Sequence, residues 1–294
     1  MDISVKMYFP SHFQTLRKLY CGSFKDFTQE MFKSSFWSDN SGGKSKSRFY
    51  KSYGDKYVLK VINSNEMKMF CEFAQPYFEY MCRSFNQKCP TCIAKVLGAY
   101  KLELASPKKR ESYYVILMEN LVLGMDPKSM LISKYDLKGS LSRRYVLTKG
   151  KSTVTKLDTN LLEDMKSMPV CMNYTLHRLM EIAIHNDTSF LSKHEKIDYS
   201  LLAWIDHEQK LIRIGIIDYI QYYSFDKQIE YKFKKHILST GKAPTIVNPE
   251  SYKKRFKCAM SQYFMSILSD QPIDSFTDLV DQQEAAKKEH EEKK

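Results

Sequence analysis

No apolar run in this 294-residue chain approaches the roughly 18 residues that a membrane-spanning helix needs. The first ten residues, MDISVKMYFP, lack the basic start and apolar stretch of a secretory leader. These absences predict a cytoplasmic protein whose contact with any membrane is peripheral. Cysteines number seven, an odd count scattered along the chain, so a disulfide framework is not expected and reduced thiols are. The segment CPTC, Cys89 to Cys92, has the spacing of a redox motif or of half a zinc site, but no second CxxC or HxxxH supplies the remaining ligands. Two reduced thiols beside a turn are the expectation there. Internal repeats and low-complexity linkers are also missing.

What the chain does have is positive charge. Lysine and arginine total 46 against 34 acidic residues, a net charge of +12 with a pI near 9.1, which points to nucleic acid, an anionic membrane surface or phosphorylated ligands. The length suits one large unit or two closely packed lobes with a real core, the size of an enzyme.

Strand signals dominate up to about Met118. RFYKSYGDKYVLKVI reads as a hairpin turning around Tyr53, Gly54 and Asp55. Asn65 is a plausible N-cap for a following helix, in which Met67, Phe70, Cys71 and Ala74 keep helical spacing until Pro76 interrupts or kinks the element. Tyr113 to Met118 reads as a buried strand that stops at Glu119 and Asn120, which suits a connection between lobes. Beyond it, Leu176, Leu179, Met180, Ala183 and Ile184 share one face of an amphipathic helix that ends in polar HNDTS. IDYSLLAWID and KLIRIGIIDYIQYY read as a loop with flanking strands, and a second helix is predicted from about Pro249 to Ser269. The closing DQQEAAKKEHEEKK is predicted to be a solvated helix or a disordered tail.

Four stretches carry candidate chemistry. SGGKSKS, Ser41 to Ser47, offers backbone N–H groups and two glycines able to take positive φ around a phosphate, although Gly-Gly in a polar loop usually serves only as a connection. Lys60 stands alone inside the apolar run YVLKVI, where an unpartnered ammonium is costly, so a phosphate or carboxylate partner is expected rather than simple snorkelling. In YDLKGS, Asp136 and Lys138 share a strand face and Gly139 lets the chain turn toward an anion; a hairpin with a surface ion pair is the alternative. Asp198 precedes the apolar YSLL and Asp218 ends the run LIRIGII. A carboxylate at the end of a buried strand is a rigid mount for a cation, though each could simply cap a turn or end a strand.

Taken in order, YDLKGS (Tyr135 to Ser140), IDYSLL (Ile197 to Leu202) and GIIDYI (Gly215 to Ile220) resemble the three hallmark blocks of the phosphatidylinositol phosphate kinases. SGGKSKSRFYKS, FDKQIE and APTIVNPESYKKRFKCAMSQYF resemble the type III branch, the phosphatidylinositol 3-phosphate 5-kinases, and the likeness spans roughly Phe13 to Phe264. The resemblance implies a two-lobed α+β kinase fold. Residues 1–119 would form an N-lobe of antiparallel sheet with packed helices, 120–278 a mixed α/β C-lobe, and 279–294 a charged tail.

It also implies ATP and Mg2+ as cofactors and transfer of the γ-phosphate to the 5-hydroxyl of phosphatidylinositol 3-phosphate. Asp198 is then the catalytic-loop aspartate, with Lys138 and Lys60 as catalytic lysines near the nucleotide phosphates. Gly42, Gly43, Lys44, Ser45 and Glu119 join Lys60 and Lys138 in nucleotide binding, and Asp218 is the metal ligand. Arg144 closes the first block and supports it or the lipid headgroup. The pattern differs from protein kinases, because no His-Arg-Asp is present and Asp218 is followed by Tyr219 and Ile220. Ala203 stands where a protein kinase has a metal-binding asparagine, which leaves a second metal ligand unassigned. Trp204 and Lys46 replace the small residues usual in the family, so Trp204 implies either a different bend or a packed ring. Lipid-binding and chaperonin-like regions that members often carry ahead of the kinase domain are not legible here.

From Lys227 to Lys257 the chain holds nine basic residues against Glu230 and Glu250. YKFKKHIL interleaves Lys232, Lys234 and Lys235 with Tyr231, Phe233, Ile237 and Leu238, as a segment lying on an anionic bilayer would. These lysines and Lys242 are the candidates for reading the lipid phosphate. The expected partners are a phosphoinositide in an endomembrane and a regulatory protein scaffold, not nucleic acid; the oligomeric state is left open. A 4-phosphate 5-kinase, a phosphoinositide-binding pseudokinase and a basic nucleic-acid-binding protein are the alternatives, the last leaving the ordered carboxylate and lysine blocks unexplained.

Overall fold

The computed structural model describes residues 2–32, 34–37, 48–106, 109–126, 128–148, 154–220 and 248–267. Its elements run β1 (Asp2–Tyr8), α1 (Pro10–Tyr20), α2 (Phe24–Met31), β2 (Ser34–Trp37), β3 (Phe49–Ser52), β4 (Tyr57–Ile62), α3 (Ser64–Asn86), β5 (Val96–Ser106) and β6 (Lys109–Glu119). They continue with β7 (Ile132–Leu137), α4 (Asp158–Asp164), β8 (Cys171–Asn173), α5 (Tyr174–Lys193), β9 (Ser200–Asp206), β10 (Leu211–Ile217), α6 (Pro249–Tyr263) and β11 (Met265–Ile267). The class is mixed α+β.

Strands β1 to β6 form one antiparallel sheet in the order β1-β5-β6-β4-β3-β2, and β10-β9-β7 form a second antiparallel sheet. The β3–β4 hairpin turns where the sequence predicts it, with Asp55 in the left-handed region at φ 59°. The aspartate side chain tolerates that conformation.

Three helices differ from expectation. The one predicted from about Pro249 to Ser269 ends at Tyr263, because Met265–Ile267 leave it to pair as β11 with β8. Helix α3 begins two residues earlier than Asn65 suggests: Asn63 is the N-cap, its Oδ1 accepting from the Glu66 N–H at 2.9 Å while Glu66 Oε2 accepts from the Asn63 N–H at 2.9 Å. This reciprocal box satisfies two orphan donors, which Asn65 has no matching residue to do. The helix then passes straight through Pro76 for 23 residues. A mid-helix proline costs about 3 kcal/mol, but Phe70, Phe73, Ala74, Tyr77, Phe78 and Met81 bury the face on both sides of it, and this outweighs the lost bond. Helix α5 likewise continues past HNDTS to Lys193, because Asp187 and Thr188 point inward while Leu176, expected on the core face, is exposed.

The largest of three core clusters among the described residues runs through both sheets, from Phe13 and Leu16 of α1, through α3, to Leu201 and Ala203 of β9 and Tyr252, Phe256 and Met260 of α6. The segment 92–94 stitches the sheets together. Ile216 N–H donates to the Cys92 carbonyl at 2.7 Å, Ala94 N–H to the Ile216 carbonyl at 2.9 Å, and Tyr219 Oη to the Ala94 carbonyl at 2.7 Å. Asp187, fully buried, receives Tyr80 Oη at 2.5 Å, Thr91 Oγ1 at 2.6 Å and the Cys92 N–H at 2.7 Å. Cys92 is thus a thiol held by Asp187, and burial pushes it and Asp187 toward their protonated forms; Cys89 is exposed and both are free thiols. Trp204 is packed rather than bent away: its ring is buried with Val122, Met125 and Ile132, and Lys134 Nζ lies 4.7 Å from the ring centre.

Candidate active site

Two lysine–aspartate pairs define the site. Lys60 sits in β4 between Phe49 of β3 and Ile116 of β6, so its backbone is locked in the sheet. Its Nζ reaches Asp218 Oδ1 at 2.7 Å, although 158 residues separate them. The partner expected for this strand lysine is therefore a carboxylate. Lys138, just after β7, donates to Asp198 Oδ1 at 2.6 Å and to the Asp198 carbonyl at 2.5 Å. Asp136 and Lys138 do not pair with each other, which removes the simple hairpin reading.

Both aspartates occupy the left-handed region, Asp198 at φ 64° and Asp218 at φ 58°. A non-glycine residue there costs of order 1–3 kcal/mol and persists only where the surroundings over-determine it. Each aspartate adjoins a strand end, β9 for Asp198 and β10 for Asp218, so the bend turns the carboxylate out of the sheet and toward its lysine. Half of the Asp218 side-chain surface remains open. Its acidity results from opposing effects: surrounding protein raises the pKa, while Lys60, by charge and hydrogen bond, and then Lys138 lower it further than burial raises it. The charge of Lys138 thus also favours the ionised form of Asp218, after that of Lys60, which links the two pairs electrostatically.

Gly139 allows the YDLKGS turn. It has φ +66°, and a Cβ there would meet Ala259 Cβ at 2.9 Å and the Arg255 carbonyl at 3.1 Å, so the loop lies directly against α6. Arg144 is turned inward. Its Nε donates to Asp158 Oδ2 at 2.8 Å and its Nη2 to Asp136 Oδ1 at 2.7 Å and to the Asp136 carbonyl. Burial opposes the guanidinium charge, but Asp136 and Asp158 more than compensate and raise its pKa. Arg144 supports the block from behind. Glu119 is engaged by Lys95, whose Nζ contacts both carboxylate oxygens at 3.0 and 3.1 Å, and it does not pair with Lys60.

Gly42, Gly43, Lys44 and Ser45, with Lys46, lie outside the described residues, as do Lys232, Lys234, Lys235 and Lys242. Among the described residues no group of three or more His, Cys, Asp and Glu side chains is arranged to hold a metal, and no helix is long and apolar enough to cross a membrane.

Three participants escape the sequence reading. Lys196, two residues before Asp198, is fully buried and donates to the Ile220 carbonyl at 2.8 Å, tying the approach to Asp198 to the chain just after Asp218. Tyr252 of α6 donates to the Tyr199 carbonyl. Asp158, also fully buried, gathers the backbone of the Lys138 turn. Only Lys196 carried a usable signal, an ammonium placed directly before an apolar block.

The family model described as phosphatidylinositol-4-phosphate 5-kinase matches residues 31–210 and 203–263. The chain is also similar to three curated proteins described as 1-phosphatidylinositol 3-phosphate 5-kinases. One, from Arabidopsis thaliana, is 36% identical over 269 residues, 90% of this chain and 15% of that protein. Another, from Saccharomyces cerevisiae, is 36% identical over 272 residues, 90% of this chain and 12% of that protein. The human protein is 35% identical over 270 residues, 89% of this chain and 13% of that protein. The chain therefore spans less than a fifth of the length of the relatives it matches.

Proposed function

The chain belongs to the phosphatidylinositol phosphate kinase family, and from that premise we propose that it transfers the γ-phosphate of ATP to the 5-hydroxyl of phosphatidylinositol 3-phosphate. The observation that carries this reading is the presence of two lysine–aspartate pairs, Lys60–Asp218 and Lys138–Asp198, linked by the charge of Lys138 on Asp218 and by the bond from Lys196 to the Ile220 carbonyl. Phosphoryl transfer asks of a protein chiefly positioned charge, and two ammoniums with two carboxylates held on strand ends supply it. The choice of the 3-phosphate lipid draws on the names of the relatives; the family model's own description favours the 4-phosphate lipid as the second reading.

In this mechanism the six-stranded sheet with its helices is the N-lobe, residues 1–119, and the rest to residue 278 is the C-lobe, with ATP between them. Lys60 and Lys138 meet the phosphate oxygens. Asp198 orients the inositol hydroxyl and takes its proton as the new P–O bond forms and the bond to the departing ADP breaks. An ionised, half-open Asp218 suits Mg2+, which binds through one or two carboxylates plus substrate phosphates. When bound, that ion would neutralise charge on the phosphates. Arg144, already committed to Asp136 and Asp158, shapes the loop rather than meeting the headgroup. Glycines 42 and 43 with Lys44 and Ser45 cover the nucleotide phosphates, and Glu119 ends the strand that borders the nucleotide. Lys232, Lys234, Lys235 and Lys242 read the lipid phosphate on an anionic endomembrane.

The test is a radiolabelled ATP assay on liposomes carrying each monophosphorylated phosphoinositide in turn, followed by headgroup analysis. The 3-phosphate lipid should be preferred and yield the 3,5-bisphosphate. A preference for the 4-phosphate with 4,5-bisphosphate product would overturn the regiochemistry, and lipid binding without turnover would overturn the enzyme.

A further inference from the structure

Asp158 is the first residue of the short helix α4 and has no exposed surface. A buried carboxylate is costly unless its lone pairs are filled, and here they are. Oδ1 accepts from Gly139 N–H at 2.7 Å, Lys138 N–H at 3.1 Å and Tyr263 Oη at 3.1 Å; Oδ2 accepts from Arg144 Nε at 2.8 Å and Lys138 N–H at 3.2 Å. Two successive backbone N–H groups, the second on a residue at φ +66°, make an anion-binding concavity. Its anion is the protein's own carboxylate. The same turn is held from its other side by α6, where Arg255 Nη2 donates to the Lys138 carbonyl at 3.4 Å.

We propose that Asp158 is the positioning residue of the phosphate-handling lysine: by gripping the backbone of Lys138 and Gly139 it fixes where the Lys138 ammonium emerges relative to Asp198. The proposal rests on the kinase reading for its functional consequence, not for its geometry. Lys138 makes two short contacts to one residue, 2.6 Å to Oδ1 and 2.5 Å to the carbonyl of Asp198. Contacts that close tolerate little displacement of the lysine Cα. With Asn at position 158, the amide NH2 must face donors: in the Oδ1 place it meets the Gly139 and Lys138 N–H groups and Tyr263 Oη, and in the Oδ2 place it meets Arg144 Nε and removes one branch of the shared Lys138 bond, so the grip on the turn weakens in either orientation. Tyr263, at the end of α6, makes the grip sensitive to how that helix is seated.

The first test needs neither ATP nor lipid. The folded chain is acylated with an amine-reactive ester and each lysine is quantified by peptide mass spectrometry. Asp158→Asn should raise Lys138 labelling severalfold while leaving Lys60 labelling unchanged; unchanged Lys138, or a uniform rise at all lysines, overturns the proposal. Where Asp158→Asn does not fold, Tyr263→Phe removes one donor and keeps the ring, and the same selective rise at Lys138 is required of it. The second test is turnover at saturating ATP and lipid. Asp158→Asn should lose about tenfold or more, since a displacement of 1 Å can cost 100-fold, yet add nothing further in a Lys138→Met background. Multiplicative losses in the double variant would make Asp158 merely structural. A chain that turns over no phosphoinositide would fail the kinase reading alone, and the labelling experiment would still decide this one.

Discussion

Lys138 holds Asp198 twice, at its carboxylate 2.6 Å away and at its carbonyl oxygen 2.5 Å away. One ammonium thereby fixes both the charge and the left-handed backbone of the aspartate that the proposed reaction uses. Charge and backbone strain are linked at this point.

Lys138→Met and Asp198→Asn should therefore each lower turnover by about 10²- to 10⁴-fold while the chain stays folded. Steady-state kinetics beside circular dichroism measure this. Near-normal turnover in Asp198→Asn would remove it from the reaction.

Lys60→Met should abolish most activity but shift stability little. Asp218 is half open, so the pair is worth about 1 kcal/mol or less. The folded pKa of Asp218 is lowered, so its contribution is present above the ordinary carboxylate pKa of 3.8 and is lost as pH falls through the lowered value. Acid unfolding of the two proteins should thus differ near neutrality and converge at the acid end. A difference that grows with acidity contradicts the assignment.

Gly139→Ala should destabilise by about 2–4 kcal/mol, because it adds a left-handed alanine and a contact with α6 backbone. Gly124 gives the control: at φ +82° with nothing within 4 Å of its added Cβ, Gly124→Ala should cost only about 1 kcal/mol. Urea titrations of both variants compare them, and equal costs would mean that α6 does not press on the turn. Turnover should fall only in Gly139→Ala.

Lys196 provides the pH prediction. Burial lowers its pKa to about 7, against an opposing pull from Glu72. Between pH 7 and about 10.5 the unfolded chain binds more protons at this position than the folded one, so its contribution to stability rises with pH across that window and is flat below it. The difference in unfolding free energy between the unmutated chain and Lys196→Met should trace this rise. A flat difference from pH 7 to 10 would show that Lys196 titrates normally.

Much of the architecture was legible in the order of residues. Alternation and turn chemistry place the β3–β4 hairpin around Tyr53, Gly54 and Asp55, and the β9–β10 pair beside Asp198 and Asp218. These are local properties of period and backbone preference, fixed within a few residues. The odd strand lysine at position 60 even announced that it needed an anionic partner, because an isolated ammonium in an apolar run is expensive.

Which partner it takes was not legible. Lys60 meets Asp218 across 158 residues and Lys138 meets Asp198 across 60. Several carboxylates satisfy the same chemistry, and only the joining of the two sheets through a shared core chooses among them. The same holds for Pro76, tolerated because aromatic burial on both sides exceeds its cost, and for Asp187, Lys196 and Asp158, polar residues that look like surface until the fold brings donors and acceptors to them. Sequence determined the elements and the residue types that carry charge, since those depend on near neighbours. Tertiary structure alone decided which charges face each other, since a buried ion is stable only where distant segments complete its hydrogen bonds.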